Sequence, residues 1–223
     1  MIKVEHIEVF NFEGAIRGMR NPMNSHDKSD SVKCYANRDC PGICKNNKCL
    51  LCIGASDLAL MKRLYKAGTE HRKYLRQIFV SMDIVAPDYF FKEFSTYKIG
   101  VVENSTSTMH RIAAKEFTLD DFSHEHLYTD TISAYCPITV LKEQIKALNY
   151  WRERYLETKR KEDWWQMIQL LPMSYNYTRT VTMNYENVVT IINQRSGHKL
   201  DEWNTFVGIL KDLPYVEAIM GDE

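Results

Sequence analysis

The residues with the clearest capacity for chemistry lie in the last quarter of the chain. Leu171-Pro172 leads into a Thr- and Tyr-rich run that ends in Thr182-Met183-Asn184, and Arg195 follows eleven positions after Asn184. Arginine offers a planar, permanently charged fork. It suits bidentate binding of phosphate. The alternatives are local: Arg195 at a helix end would cap carbonyls or pair with a carboxylate, and Asn184 would cap the helix that begins there. A second candidate is Asn104-Ser105-Thr106-Ser107-Thr108. Its small hydroxyl and amide groups suit a nest of backbone N–H donors around a phosphate, or else an ordinary polar loop. The third is a cluster of five cysteines, Cys34, Cys40, Cys44, Cys49 and Cys52, within nineteen residues. In a reducing compartment such clustering favours structural zinc, with Cys40, Cys44, Cys49 and Cys52 as ligands and Cys34 or His26 in reserve. An iron–sulfur cluster and free or paired thiols are the alternatives. Cys136, set apart beside Pro137, reads as a buried thiol. His124-Glu125-His126 has no third ligand nearby and reads as a solvated loop.

Bulk properties bound the partners. Lys+Arg and Asp+Glu both number 29, so no charge excess directs the chain to nucleic acid or to a membrane surface. The N-terminal residues lack the pattern of a signal peptide, and no apolar stretch approaches a membrane span. A cytoplasmic protein with reduced thiols is expected. Its 223 residues suit one domain over 1–223, with a Cys-rich insert at about 33–54.

The elements that must position these groups can be read from periodicity. Residues 2–10 alternate and predict a strand, and 11–32 read as loop with one helical turn near Ala15–Met19. A helix is expected from Ser56, its cap, to Ala67, with Gly68 as the stop. Residues 78–85 predict a strand, and Pro87 opens a helix to about Tyr97. Residues 99–136 show no usable period. Pro137 starts the clearest helix, to about Lys161, with Ile138, Leu141, Ile145, Leu148 and Tyr155 on one face. A helix over 163–170, a strand over 174–183 and two helices over 184–195 and 200–211, broken at Ser196-Gly197, complete the chain. The aromatic pairs Tyr150-Trp151 and Trp164-Trp165 read as packing residues. The mixture predicts an α/β (α+β) domain with a central twisted sheet flanked by helices.

These residues together resemble the flavin-dependent thymidylate synthases over nearly the whole chain outside the Cys-rich insert. Ala15-Ile16-Arg17, the Leu58–Lys66 helix and Gly68-Thr69-Glu70-His71 look like the family's opening block. Ala86-Pro87 through Arg111 lies on its central block without a gap. There the R-H-R signature is replaced by Thr96-Tyr97-Lys98, and the later S-x-R by Thr106-Ser107-Thr108. Leu171 to Arg195 keeps the spacing and polar residues of the last block. The resemblance implies methylation of dUMP at C5, with FAD, NADPH and methylene tetrahydrofolate, in a homotetramer whose ligands bind where subunits meet. It implies flavin contacts from His71, Thr96, Tyr97 and Lys98, nucleotide contacts from Asn104, Ser105, Thr106, Ser107, Asn184 and Arg195, and an electrostatic catalytic role for Arg195. The lost guanidinium groups require replacement from Arg111, Lys115, Arg179 or a neighbouring subunit. A nucleotide-binding protein without turnover, and an oligomeric scaffold with a zinc-binding insert, are the competing expectations.

Overall fold

The computed structural model describes residues 2–33, 51–129, 133 and 135–221. In chain order the elements are β1 (Lys3–Phe10), α1 (Phe12–Arg20), β2 (Val32–Lys33), β3 (Leu51–Cys52), α2 (Ala55–Lys66), β4 (Phe79–Pro87), α3 (Asp88–Phe94), β5 (Val101–Ser105), α4 (Thr108–Arg111), α5 (Pro137–Thr158), α6 (Lys161–Leu170), β6 (Asn176–Asn184), α7 (Tyr185–Arg195), α8 (Asp201–Lys211) and α9 (Val216–Met220). Four strands form a sheet in the order β1-β4-β6-β5. β4 and β6 run antiparallel, because the Tyr185 amide bonds the Ile78 carbonyl and the Asp88 amide bonds that of Tyr175. The expected α/β class is the one observed.

The chain divides into two compact units. One comprises residues 1–3, 84–96 and 104–180. Its core gathers Ile112, Phe117, Phe122, Leu141, Ile145, Leu148 and Met167. Leu141, Ile145 and Leu148 recur at intervals of three and four along α5, so one stripe of that long helix packs inward. Cys136 is buried at the start of α5, its thiol directed at the Tyr128 carbonyl.

The other unit comprises residues 4–83, 97–103 and 181–223. Val80 and Met82 of β4 are buried while Phe79, Ser81 and Asp83 are only partly covered, the period-two signature of a strand with one packed face. α7 buries Val188, Val189, Ile191 and Ile192, and α8 buries Trp203, Phe206, Val207 and Leu210.

A charged knot also lies in this second unit. Asp57, in the first turn of α2, is fully buried and meets the Arg20 Nε at 2.6 Å. The other Asp57 oxygen accepts from the hydroxyls of Ser29 (2.8 Å) and Ser31 (2.6 Å) and from the amides of Asp30 and Ser31. Asp30 in turn accepts from the amides of Ser56 and Asp57. The helix expected to be capped by Ser56 is therefore capped by a carboxylate from 26 residues upstream. At the edge of the same region β2 pairs antiparallel with β3, Val32 opposite Cys52 and Lys33 opposite Leu51. The Tyr215 hydroxyl extends that pairing by donating to the Leu51 carbonyl and accepting from the Ile53 amide, both at 3.0 Å.

Candidate functional site

The hydroxyl-rich loop lines a cleft of about 420 Å³ in the first unit, within the usual range for small-molecule sites. β5 delivers Ser105 to its rim, and the Thr106 amide is tied to the Thr178 carbonyl of β6 at 2.9 Å. The Ser107 hydroxyl accepts from the His110 amide at 3.1 Å and so caps α4. Leu171, Pro172 and Met173 also line the cleft, and the Tyr89 amide bonds the Met173 carbonyl. Ser105, Thr106 and Ser107 thus share one cleft with Thr108. Asn104 is exposed on β5 and does not line it. Of the three cations expected as replacements, Arg179 of β6 lines the cleft. Arg111 is exposed, and Lys115 is paired with Asp121.

Arg195 anchors a separate constellation in the second unit. As the last residue of α7 it donates from Nε to the Tyr97 hydroxyl at 2.9 Å, and its Nη1 meets the His198 Nε2 at 3.2 Å. Its guanidinium lies 4.7 Å from the centre of the Trp203 ring and 5.6 Å from that of Tyr97. Tyr97 also donates to the Gln194 side chain at 3.0 Å. The sequence singled out Arg195 but not its supports. Trp203 and His198 lie beyond the helix break, where no periodic signal ties them to α7. Asn184 caps α7 in a reciprocal box with Asn187, whose side chain also donates to the Ile99 carbonyl.

No protein-family model matches the sequence, and no curated protein matches it significantly. Solved structures do. The thymidylate synthase ThyX from Helicobacter pylori, in a crystal structure with FAD and dUMP, is 16% identical, with a TM-score of 0.64 over 98% of this chain and 95% of that one. A UMP/dUMP methylase, PolB from Streptomyces cacaoi, bound with 5-Br dUMP, is 12% identical, with a TM-score of 0.65 over 98% of this chain and 93% of that one. The chain has the fold of the flavin-dependent thymidylate synthases.

Local chemistry separates this chain from a flavin clamp at residues 71 and 96–98. The Thr96 hydroxyl is turned back onto the Glu93 carbonyl at 2.7 Å, and that of Tyr97 is engaged by Gln194 and Arg195. His71 sits in an exposed turn, its amide bonded to the Gly68 carbonyl. Lys98 is exposed and carries one charge, against the two of a dinucleotide pyrophosphate. By themselves these four residues do not fit a flavin dinucleotide, and no chemical step is assigned through one. Cys34, Cys40, Cys44 and Cys49 lie outside the described residues, and Cys52 is partly covered on β3. Among the described residues no cluster of three or more His, Cys, Asp or Glu groups suits a metal ion. None of the described helices is long and apolar enough to cross a membrane.

The segment that carries Tyr97 is fixed by a close approach. Gly100 has φ +78, and a Cβ there would lie 2.4 Å from the Asn184 side-chain nitrogen. Gly100→Ala should therefore both strain the backbone and dislodge the α7 cap. A loss of about 2 kcal/mol or more is expected in chemical denaturation. An unchanged midpoint would show that the cap tolerates the methyl group.

Proposed function

We propose that the chain binds a pyrimidine nucleoside monophosphate of the dUMP type. The observation that carries this reading is the cleft lined together by Ser105, Thr106, Ser107 and Thr108, by Arg179, and by the apolar Leu171, Pro172 and Met173. Hydroxyls and a guanidinium suit a phosphate, and the apolar wall suits a base. The fold is that of proteins whose structures hold dUMP or 5-Br dUMP, which adds support. Titration with dUMP tests the proposal. A rise in melting temperature that grows with dUMP concentration is expected, reaching about 2.7 kcal/mol of added stability at a hundredfold excess over Kd. No shift at millimolar dUMP would sink it.

Methylation at C5 is the second reading, and the geometry of Arg195 favours it. A guanidinium stacked on Trp203 and held by Tyr97 is preorganised to stabilise charge on a ring. FAD would supply the redox chemistry when bound, with NADPH and methylene tetrahydrofolate as further substrates and a homotetramer as the working assembly. The visible spectrum after incubation with FAD and removal of the excess decides between the two. Retained bands near roughly 375 and 450 nm support catalysis; their loss leaves a nucleotide binder.

A further inference from the structure

The hydroxyl loop of the cleft has little secondary structure of its own to hold it. β5 ends at Ser105, and α4 spans only Thr108–Arg111. The last carbonyls of a helix lack an intrahelical partner, and in so short a helix Met109 carries one of them. We propose that Trp164 of α6 is the positioning residue of this loop: its indole N–H holds the Met109 carbonyl and so sets where Ser105–Thr108 stand in the cleft. The inference rests on the nucleotide reading given above.

The indole nitrogen donates to the Met109 carbonyl at 3.2 Å. Met109 follows Thr108 directly and itself lines the cleft. A bond to its backbone therefore acts on the loop one residue away. Trp164 can serve as an anchor because its ring is partly buried against the core of the first unit. An indole joins an apolar body to a single donor, so packing the ring also aims the N–H. Ile168, one turn further along α6, lines the cleft as well. Residues four apart share a helix face, so one face of α6 supplies both a piece of the wall and the clamp beside it. The segment after α4 is held in the same manner by α5. The Arg152 Nε donates to the Ala113 carbonyl at 3.1 Å, and the Asn149 side chain bonds the amide and the carbonyl of Phe117, each at 2.8 Å. The α5–α6 pair thus grips three backbone points spaced four residues apart: Met109, Ala113 and Phe117. Of these three, Met109 is the one that lines the cleft. The other ties of the loop run elsewhere, from the Thr106 amide to Thr178 of β6 and from the Ser107 hydroxyl to its own helix. Trp164 is what joins that helix to α6.

The test uses the full chain, with dUMP and deoxyuridine as paired probes in calorimetry. Trp164→Phe keeps an aromatic body and removes the donor. It is expected to weaken dUMP about 2- to 12-fold, the usual contribution of one neutral hydrogen bond. Deoxyuridine should bind as before, because the hydroxyls placed by Trp164 are those that suit the phosphate. Asn149→Ala, which releases the grip at Phe117, should lower the melting temperature and leave dUMP affinity at the parent value. Where Trp164→Phe fails to fold, exchanging the indole for benzothiophene removes the same N–H at constant shape and is read in the same way. Equal loss for both probes, or the same loss of dUMP affinity from Asn149→Ala, would mean that these side chains merely stiffen the first unit, and would overturn the inference. Where deoxyuridine binds too weakly to measure, the contrast with Asn149→Ala decides. Unchanged dUMP affinity in Trp164→Phe would also overturn it, although the nucleotide reading would then stand. Absence of dUMP binding by the unaltered chain would sink both.

Discussion

Asp57→Ala is expected to lower the stability of the protein by about 3–5 kcal/mol, the usual result of removing one partner from a buried ion pair. The substitution would strand Arg20, which is 3% exposed and has Asp57 as the acceptor for its Nε. It would also release the hydroxyls of Ser29 and Ser31 and two backbone amides that share one Asp57 oxygen. Urea denaturation at pH 7 measures the loss; a midpoint within error of the parent would refute it. The same group carries a pH signature. Burial alone would raise the Asp57 carboxyl, but hydrogen bonds from Ser31, Arg20 and Ser29 and the Arg20 charge outweigh it and hold it below the ordinary carboxylate value. A carboxyl depressed in the folded state adds stability above its unfolded pKa of about 3.9, and that stability is lost as pH falls through the folded value. The parent protein should therefore lose stability more steeply than Asp57→Ala below about pH 4.

Trp203→Ala is expected to cost about as much, roughly 3–5 kcal/mol, because it empties a large core site. Trp203 is fully buried, with ring centres of Tyr97, His198 and Phe206 each 6.1 Å away. The void would also withdraw the surface on which the Arg195 guanidinium rests. Trp203→Phe fills much of the site and should cost clearly less. Equal stability of the alanine variant and the parent would mean that the site collapses without penalty, and that Arg195 is held by its hydrogen bonds alone.

How far the sequence reveals this molecule depends on where each element finds its partners. α5, α7 and α8 are legible from their apolar residues and local boundaries, as at Pro137, Asn184 and Ser196-Gly197, and β6 from its richness in Thr and Tyr. α1 is not: it contains Gly14 and Gly18, poor helix formers, and its length shows only in the structure. Gly18 serves packing, since a Cβ there would lie 2.5 Å from the Gln77 side chain. β5, with the sequence VVENS, has too short and polar a pattern to signal a strand. The helix expected from Pro87 to about Tyr97 ends at Phe94, where Ser95 and Thr96 close onto the carbonyls of Phe91 and Glu93. Nothing local in the sequence marks Asp57 and Arg20 as a pair, 37 positions apart, and their pairing becomes visible only in the structure. The site shows the same division. Asn184 as a cap and the Ser105–Ser107 run could be read locally. Ser95 as a partner of Arg179 at 84 positions' separation, and the partners of Arg195, could not.

The short β2–β3 ladder brings together two points that lie far apart along the chain. Lys33 and Leu51 face each other across it, and the Tyr215 hydroxyl clasps the returning strand. The two ends of the stretch between them are thus anchored by residues outside it. Lys33 and Leu51 therefore act as one fixed junction, at which the chain passes out of the ladder and back into it at adjacent, paired positions.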